Sequence, residues 1–326
     1  MIGGVKNKFD FQNCKEYNLG LWQCPTFLFV VMGIVNMCAM IGIYIVVNKY
    51  DSPELVVASV SGISILIFIV GASVINGVEK IATLNNAKSE FISIASHQLK
   101  APLSGMRWST DILLSGKTGK LEARQEEYLK DIQENTSRMI RLVNDLLDVT
   151  RIDSGKMNMK KQEVDLNEIV EGVISELGSF ALANNVELKF SPLENICKIY
   201  TDPIRIKMVV QNFIDNSIKY AGRKKGLVEI SLEDKNGSVY FSVKDYGLGI
   251  PDSEKKHIFD KFFRGGGIVR TQTIGTGLGL YIARAAIESS GGKIGFNSKE
   301  GEGSTFWFSF PGCIKQPLKN ITAVPE

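Results

Sequence analysis

Two stretches of this chain, residues 25–47 and 55–78, contain no Asp, Glu, Lys or Arg. A helix rises about 1.5 Å per residue, so each stretch is long enough to cross a hydrocarbon layer of about 30 Å. A secretory leader fits poorly, because its apolar run spans only about 7–15 residues. Between the two stretches lie residues 48–54, with Asp51 and Pro53 suited to a turn. A connection this short forces an antiparallel helical hairpin. Lys6, Lys8 and Lys15 precede the first stretch, whereas the connection holds only Lys49. That bias places both chain ends on the cytoplasmic side. The expectation is a cytoplasmic tail at 1–24, transmembrane helices at 25–47 and 55–78, and a short external loop at 48–54.

The remaining chain has to fold in water. A length of 326 residues suits roughly two domains of about 150 residues each. The net charge of +3 comes with no basic block, so nucleic acid is not an implied partner. Cys14, Cys24, Cys38, Cys197 and Cys313 form neither a C-x-x-C nor a disulfide framework. With two His in the chain, a protein-only metal cage is poorly supplied.

Polarity changes after Gly77 without a helix breaker, so residues 79–114 are expected to continue the second span as one long helix. Ile81, Leu84, Phe91, Ala95 and Leu99 share one face. After a turn at 115–120, a second helix is expected over 121–152. Its apolar positions Tyr128, Ile132, Met139, Leu142, Leu146 and Val149 are widened by Val143 and Leu147. Two helices cannot hide a stripe this broad, and pairing two hairpins into a four-helix bundle does so. A homodimer follows from that.

Residues 156–312 change character. Strands are expected at 157–160, 186–190, 197–201, 227–233, 238–244, 293–298 and 304–310, with helices at 166–183, 203–220 and 277–290. Asp202-Pro203 caps the second of these helices, and Asp234-Lys-Asn-Gly237 marks a hairpin. The result is an α/β two-layer sandwich with a mostly antiparallel sheet, followed by a disordered tail at 313–326.

Several short motifs bear on chemistry. His97 lies about 240° around its helix from Phe91, away from the apolar stripe. Pro102, five residues on, removes a hydrogen bond to the carbonyl of Gln98 and makes a soft point, a candidate hinge. Asn212 and Asn216 share a helix face, with Lys219 and Tyr220 on the next turn. A carboxamide oxygen suits Mg²⁺ that bridges phosphates. Asp245 ends a strand beside Gly247 and Gly249, where a carboxylate can accept the exocyclic amine of adenine. Gly275-Thr276-Gly277-Leu278-Gly279 opens a helix whose N–H groups attract phosphate oxygens. It matches neither the P-loop nor the dinucleotide fingerprint. Phe259, Phe262 and Phe263 can anchor a lid over the site, with Arg264 near the phosphates. Gly301 and Gly303 complete the set.

In this order these segments resemble the H, N, G1, F, G2 and G3 boxes of bacterial sensor histidine kinases, over residues 85–312. The later part is also similar to the wider Bergerat-type ATPases, and the His97 hairpin distinguishes the kinases. The resemblance implies a dimerisation and phosphotransfer hairpin at 79–152 and a Bergerat-type ATP-binding domain at 156–312. It implies His97 as phosphoacceptor and Asn216 as Mg²⁺ ligand. Asn212, Lys219, Tyr220, Phe263, Arg264, Gly275, Thr276, Gly277, Leu278 and Gly279 would lie about the nucleotide, with Asp245, Gly247 and Gly249 at adenine. ATP and Mg²⁺, a second copy, and a response-regulator protein are the implied cofactors and partners. The implied location is a bacterial inner membrane, crossed more than once.

Two positions depart from the family pattern. Gln98 stands where an acidic residue usually follows the His, and can orient the imidazole but not take its proton. Ala101 stands where kinases that also dephosphorylate their partner carry Thr or Asn, which predicts weak phosphatase activity. Gln98 also leaves open an ATP-binding scaffold deficient in transfer.

Overall fold

The computed structural model describes residues 25–47, 53–193, 197–221, 226–235, 237–265, 275–312 and 314–315. These fall into two compact units: residues up to Ala101 with Asp153–Gly155, and Pro102–Ile152 with the chain from Lys156 onward.

In the first unit, helix α1 spans Pro25–Val47, and helix α2 begins at Pro53 and runs without interruption to Leu114 in the second unit. Both helices are long and apolar enough to cross a membrane, over Phe27–Val46 and from Val57 onward. They meet where α2 offers no side chain: a Cβ on Gly71 would lie 1.6 Å from Met32 Cε. A small residue lets two helix backbones approach closely. The unit boundary falls between Ala101 and Pro102, the residue without an N–H.

In the second unit, α2 is followed by a turn at 115–118 and by helix α3, Ala123–Asp153. Leu103 and Thr110 of α2 are buried, as are Thr136, Val143, Leu147, Val149 and Thr150 of α3. The α/β domain then follows as β1 Gln162–Asp165, α4 Leu166–Ala183, β2 Val186–Ser191, β3 Cys197–Thr201, α5 Pro203–Tyr220, β4 Gly226–Lys235 and β5 Ser238–Asp245. Helix α6, Gly279–Ser289, precedes β6 Lys293–Lys299, β7 Gly303–Pro311 and β8 Ile314–Lys315. The main sheet has the order β2-β4-β5-β7-β6, parallel only at β2–β4. Helices α4, α5 and α6 supply Val170, Val173, Phe213, Ile214 and Ile287 to a core that Ile230, Phe241, Val243 and Phe308 close from the sheet.

The helix starts follow from their caps. Asp165 accepts the N–H of Asn167, and Asp202 accepts those of Ile204 and Arg205 with Pro203 in the first turn.

Three expectations need correction. Residues 157–160 form no strand: the N–H of Lys160 goes to Asp202 Oδ2 at 2.9 Å instead of a strand partner, and pairing starts at Gln162. A second, three-stranded sheet, β1-β3-β8, exists beside the main one. Its edge comes from the tail: Ile314–Lys315, expected to be disordered, pairs with Lys198 and Cys197. The rest of the expected tail, the 1–24 segment and most of the 48–54 loop lie outside the described residues.

Candidate nucleotide site and phosphoacceptor helix

Helix α5 presents one face to the core and, beside it, a half-buried polar face. Phe213 and Ile214 are fully buried, while Asn212 and Asn216 lie one turn apart beside them. Asn216 Nδ2 donates to Asn212 Oδ1 at 3.4 Å. That bond uses the Asn216 amide nitrogen and not its carboxamide oxygen. Asn212 Nδ2 is buried and has no hydrogen-bond partner among the described residues. Lys219 on the next turn pairs with Asp215, a residue of its own helix.

Asp245, at the end of β5, is buried at 3% exposure. Its Oδ1 accepts N–H bonds from Gly247 at 3.0 Å and Ser304 at 3.2 Å. Burial pushes the carboxyl above its usual range, and the two N–H bonds pull against it. Ser217 of α5, 1% exposed, lies close enough to Asp245 to favour its charged form, but its hydroxyl finds no partner in bonding geometry. Two polar atoms, Asn212 Nδ2 and Ser217 Oγ, are therefore buried without partners among the described residues. Orphans of that kind ask for a polar ligand or ordered water.

The glycines let backbones touch. A Cβ on Gly247 would sit 1.8 Å from the Tyr220 carbonyl oxygen, so the loop after β5 lies directly on the end of α5. The Leu248 N–H bonds that same carbonyl, and the Leu248 carbonyl accepts from Gly301. A Cβ on Gly279 would lie 2.3 Å from Asn212 Oδ1, which seats the start of α6 on the Asn pair. Gly277 approaches the Phe262 and Phe263 backbone. Phe259 and Phe263 pack against the core, as the lid-anchor reading requires, whereas Phe262 is exposed with φ of +61°.

The structure thus brings Asn212, Asn216, Tyr220, Asp245, Gly247, Phe263, Gly277 and Gly279 into one linked arrangement. Gly249 stands on the adjoining loop with φ of +64°, and Arg264 follows Phe263. Gly275 opens the last loop. Leu278 turns its side chain elsewhere, into a buried patch with Val149 of α3 and Ile282 of α6. Thr276 hydrogen-bonds Asp145 of α3. The sequence motifs single out neither Ser217 nor Asp145. Ser217 follows Asn216 directly, yet nothing in a lone Ser announces burial.

His97 and Gln98 belong to the first unit, on α2, and both side chains are exposed. The solvent-facing imidazole inferred from helix periodicity is what the structure shows. Among the described residues no cluster of three or more His, Cys, Asp or Glu could hold a metal by itself.

Comparison with known proteins agrees with these two parts. Residues 87–155 match the His Kinase A (phospho-acceptor) domain, and residues 201–313 match the histidine kinase-, DNA gyrase B-, and HSP90-like ATPase domain. The chain is 31% identical over 247 residues to the circadian input-output histidine kinase CikA of Synechococcus elongatus, covering 74% of this chain and 33% of that protein. It is 30% identical over 245 residues to the sensory/regulatory protein RpfC of Xanthomonas campestris, covering 73% of this chain and 33% of that one. The chain therefore spans about a third of the length of these relatives. Among solved structures, full-length ShkA in complex with AMPPNP matches with a TM-score of 0.58 at 27% identity, covering 70% of this chain and 47% of that one. With the phospho-acceptor and ATPase domains in tandem, the chain belongs to the sensor histidine kinases of two-component systems.

Proposed function

We propose that this chain is a membrane-bound histidine kinase that autophosphorylates His97 from ATP and passes the phosphoryl group to an Asp of a response regulator. The observation that carries the reading is the enclosed Asp245 carboxylate with Ser217 near it, on the helix whose Asn212 and Ser217 hold buried polar atoms without partners among the described residues, where glycines bring the surrounding loops onto that helix. The ShkA relative was solved with an ATP analogue, which supports the same assignment.

Each group then has a task. Asp245 accepts the adenine amine. Asn212, Thr276 and the N–H groups opening α6 receive phosphate oxygens. Asn216, whose carboxamide oxygen is not the atom bonded to Asn212, would hold a Mg²⁺ ion. When bound, that ion neutralises charge on the phosphoryl oxygens. The lone pair of a His97 ring nitrogen attacks the γ-phosphorus, and the bond to the β-phosphate bridging oxygen breaks, releasing ADP. The proton on the other ring nitrogen leaves to solvent, since Gln98 has no basicity to receive it. Transfer onward breaks the N–P bond and forms an acyl phosphate on the regulator's Asp.

The apolar helices support a membrane position and the open helical stripe supports a homodimer. A connection of a few residues leaves no room for a ligand-binding domain between the two apolar helices. Gln98 favours one other reading, an ATP-binding scaffold that transfers nothing. Incubation with γ-labelled ATP separates them. Acid-labile label on the wild-type chain and none on His97→Ala supports the kinase. Nucleotide binding without label on either supports the scaffold.

A further inference from the structure

One face of α3 is committed to the ATPase domain. Asp145, Asp148, Val149 and Ile152 recur at helical spacing along it. Arg205, in the first turn of α5, grips Asp148 with two bonds of 2.5 and 2.9 Å. Val149 packs with Leu278 and Ile282, flanked by Ile152, Met208 and Tyr281. Helix α3 thereby holds both the helix that carries the Asn pair and the loop that opens α6.

Asp145 makes the contact with a consequence for the site. Its Oδ2 accepts the Thr276 hydroxyl proton at 3.1 Å. The same Thr276 oxygen accepts the Leu278 N–H at 3.1 Å. A hydroxyl has one proton to donate. While Asp145 holds it, Thr276 has none for a phosphate oxygen, and the Leu278 N–H is likewise turned inward. One residue further, Gly279 rests on Asn212. The position of α3 is therefore transmitted through two hydrogen bonds and one backbone contact to the phosphate end of the proposed nucleotide site.

We propose that Asp145 is a positioning residue for the phosphate end of the nucleotide site: by holding the Thr276 hydroxyl it keeps the Thr276–Gly279 turn in a setting that receives nucleotide weakly, and displacement of α3 releases the turn. The proposal rests on the reading of this site as an ATP site. It gives movement of the phosphoacceptor hairpin a direct route to ATP affinity, without a change in any residue that touches the base.

The experiment uses the full chain in detergent micelles, with trinitrophenyl-ATP as the fluorescent probe and ATP as competitor. Asp145→Ala frees the hydroxyl and tightens ATP binding about threefold to tenfold, the worth of one net hydrogen bond. Asp145→Asn keeps an oxygen acceptor, so its affinity stays within about twofold of wild type. In a Thr276→Val background, Asp145→Ala has no effect on affinity, because the pair acts as a unit. The proposal is overturned if Ala and Asn tighten binding equally, which would make charge the cause, or if the Ala effect is absent in the parent or persists with Val at 276. A wild-type chain that binds no probe would remove the ATP-site reading itself, and the proposal with it.

Discussion

The ATPase domain and the helical hairpin bury their apolar residues by different means. In the domain, Phe213 is 0% exposed and its ring meets those of Phe241, Phe306 and Phe308 at 5.5–6.5 Å between centroids. In the hairpin, Phe91 is 73% and Met139 50% exposed, and Tyr128, Ile132 and Leu142 lie open beside Met139's stripe. The change occurs along α3 itself, since Val143, Leu147 and Val149 are buried while the stripe before them is open. A sheet with helices on one face can enclose its own core. Two helices cannot, and their open stripe is the surface assigned to the proposed second copy. One region thus closes its own core, whereas the other leaves its apolar stripe open in the single chain.

The sharpest way to break this comparison is to hollow the closed core. Phe213→Ala removes a fully buried ring that meets three aromatic neighbours of the sheet, and should cost about 3–5 kcal/mol of domain stability. Denaturant unfolding reads that loss. A loss under about 1 kcal/mol would mean that the core collapses around the gap and is not the rigid base the site needs.

The second test acts on the open stripe. Met139→Glu places a carboxylate where the second copy would pack. The dimer should weaken roughly a hundredfold, about 2.7 kcal/mol, as an unpaired charge is enclosed. Light scattering of the chain in detergent reads the mass, and calorimetry should find the ATPase transition unmoved. A dimer that survives intact would place the interface elsewhere.

How far these features could be read from sequence follows the same division. Asn212, Asn216 and Asp245 were legible because each sits in a local pattern: a helical repeat or a strand end beside glycines. The open stripe was legible because period alone reveals it. Asp145 was not, because its partner Thr276 lies 131 residues away and no local pattern joins them. Ser217 and the β1-β3-β8 sheet share that cause: burial and pairing of a short strand are decided by tertiary neighbours. The misread strand at 157–160 shows the converse. Met157 and Met159 alternate like strand residues, yet Asp202 takes the Lys160 N–H.

The smallest effect lies at the junction of the two regions and depends on pH. Burial raises the Asp145 carboxyl from 3.8 to about 6, against the Thr276 hydrogen bond that lowers it, with Asp148 raising it and Arg141 lowering it further. A folded pKa above the unfolded value means that the folded chain binds the proton more tightly. Stability at this residue therefore rises as pH falls through about 6, and the full gain is present only below the unfolded value of 3.8. Above pH 6 the charged carboxylate is a cost, about 1–2 kcal/mol once solvent screening of a partly exposed group is allowed for. Asp145→Asn removes the charge and keeps the acceptor, so the variant should melt above wild type at pH 7.5 and the gap should narrow toward pH 5.5. Calorimetry of both proteins at the two pH values reads this difference. A gap that does not change with pH would show that Asp145 titrates as it would in water, and that α3 does not enclose it.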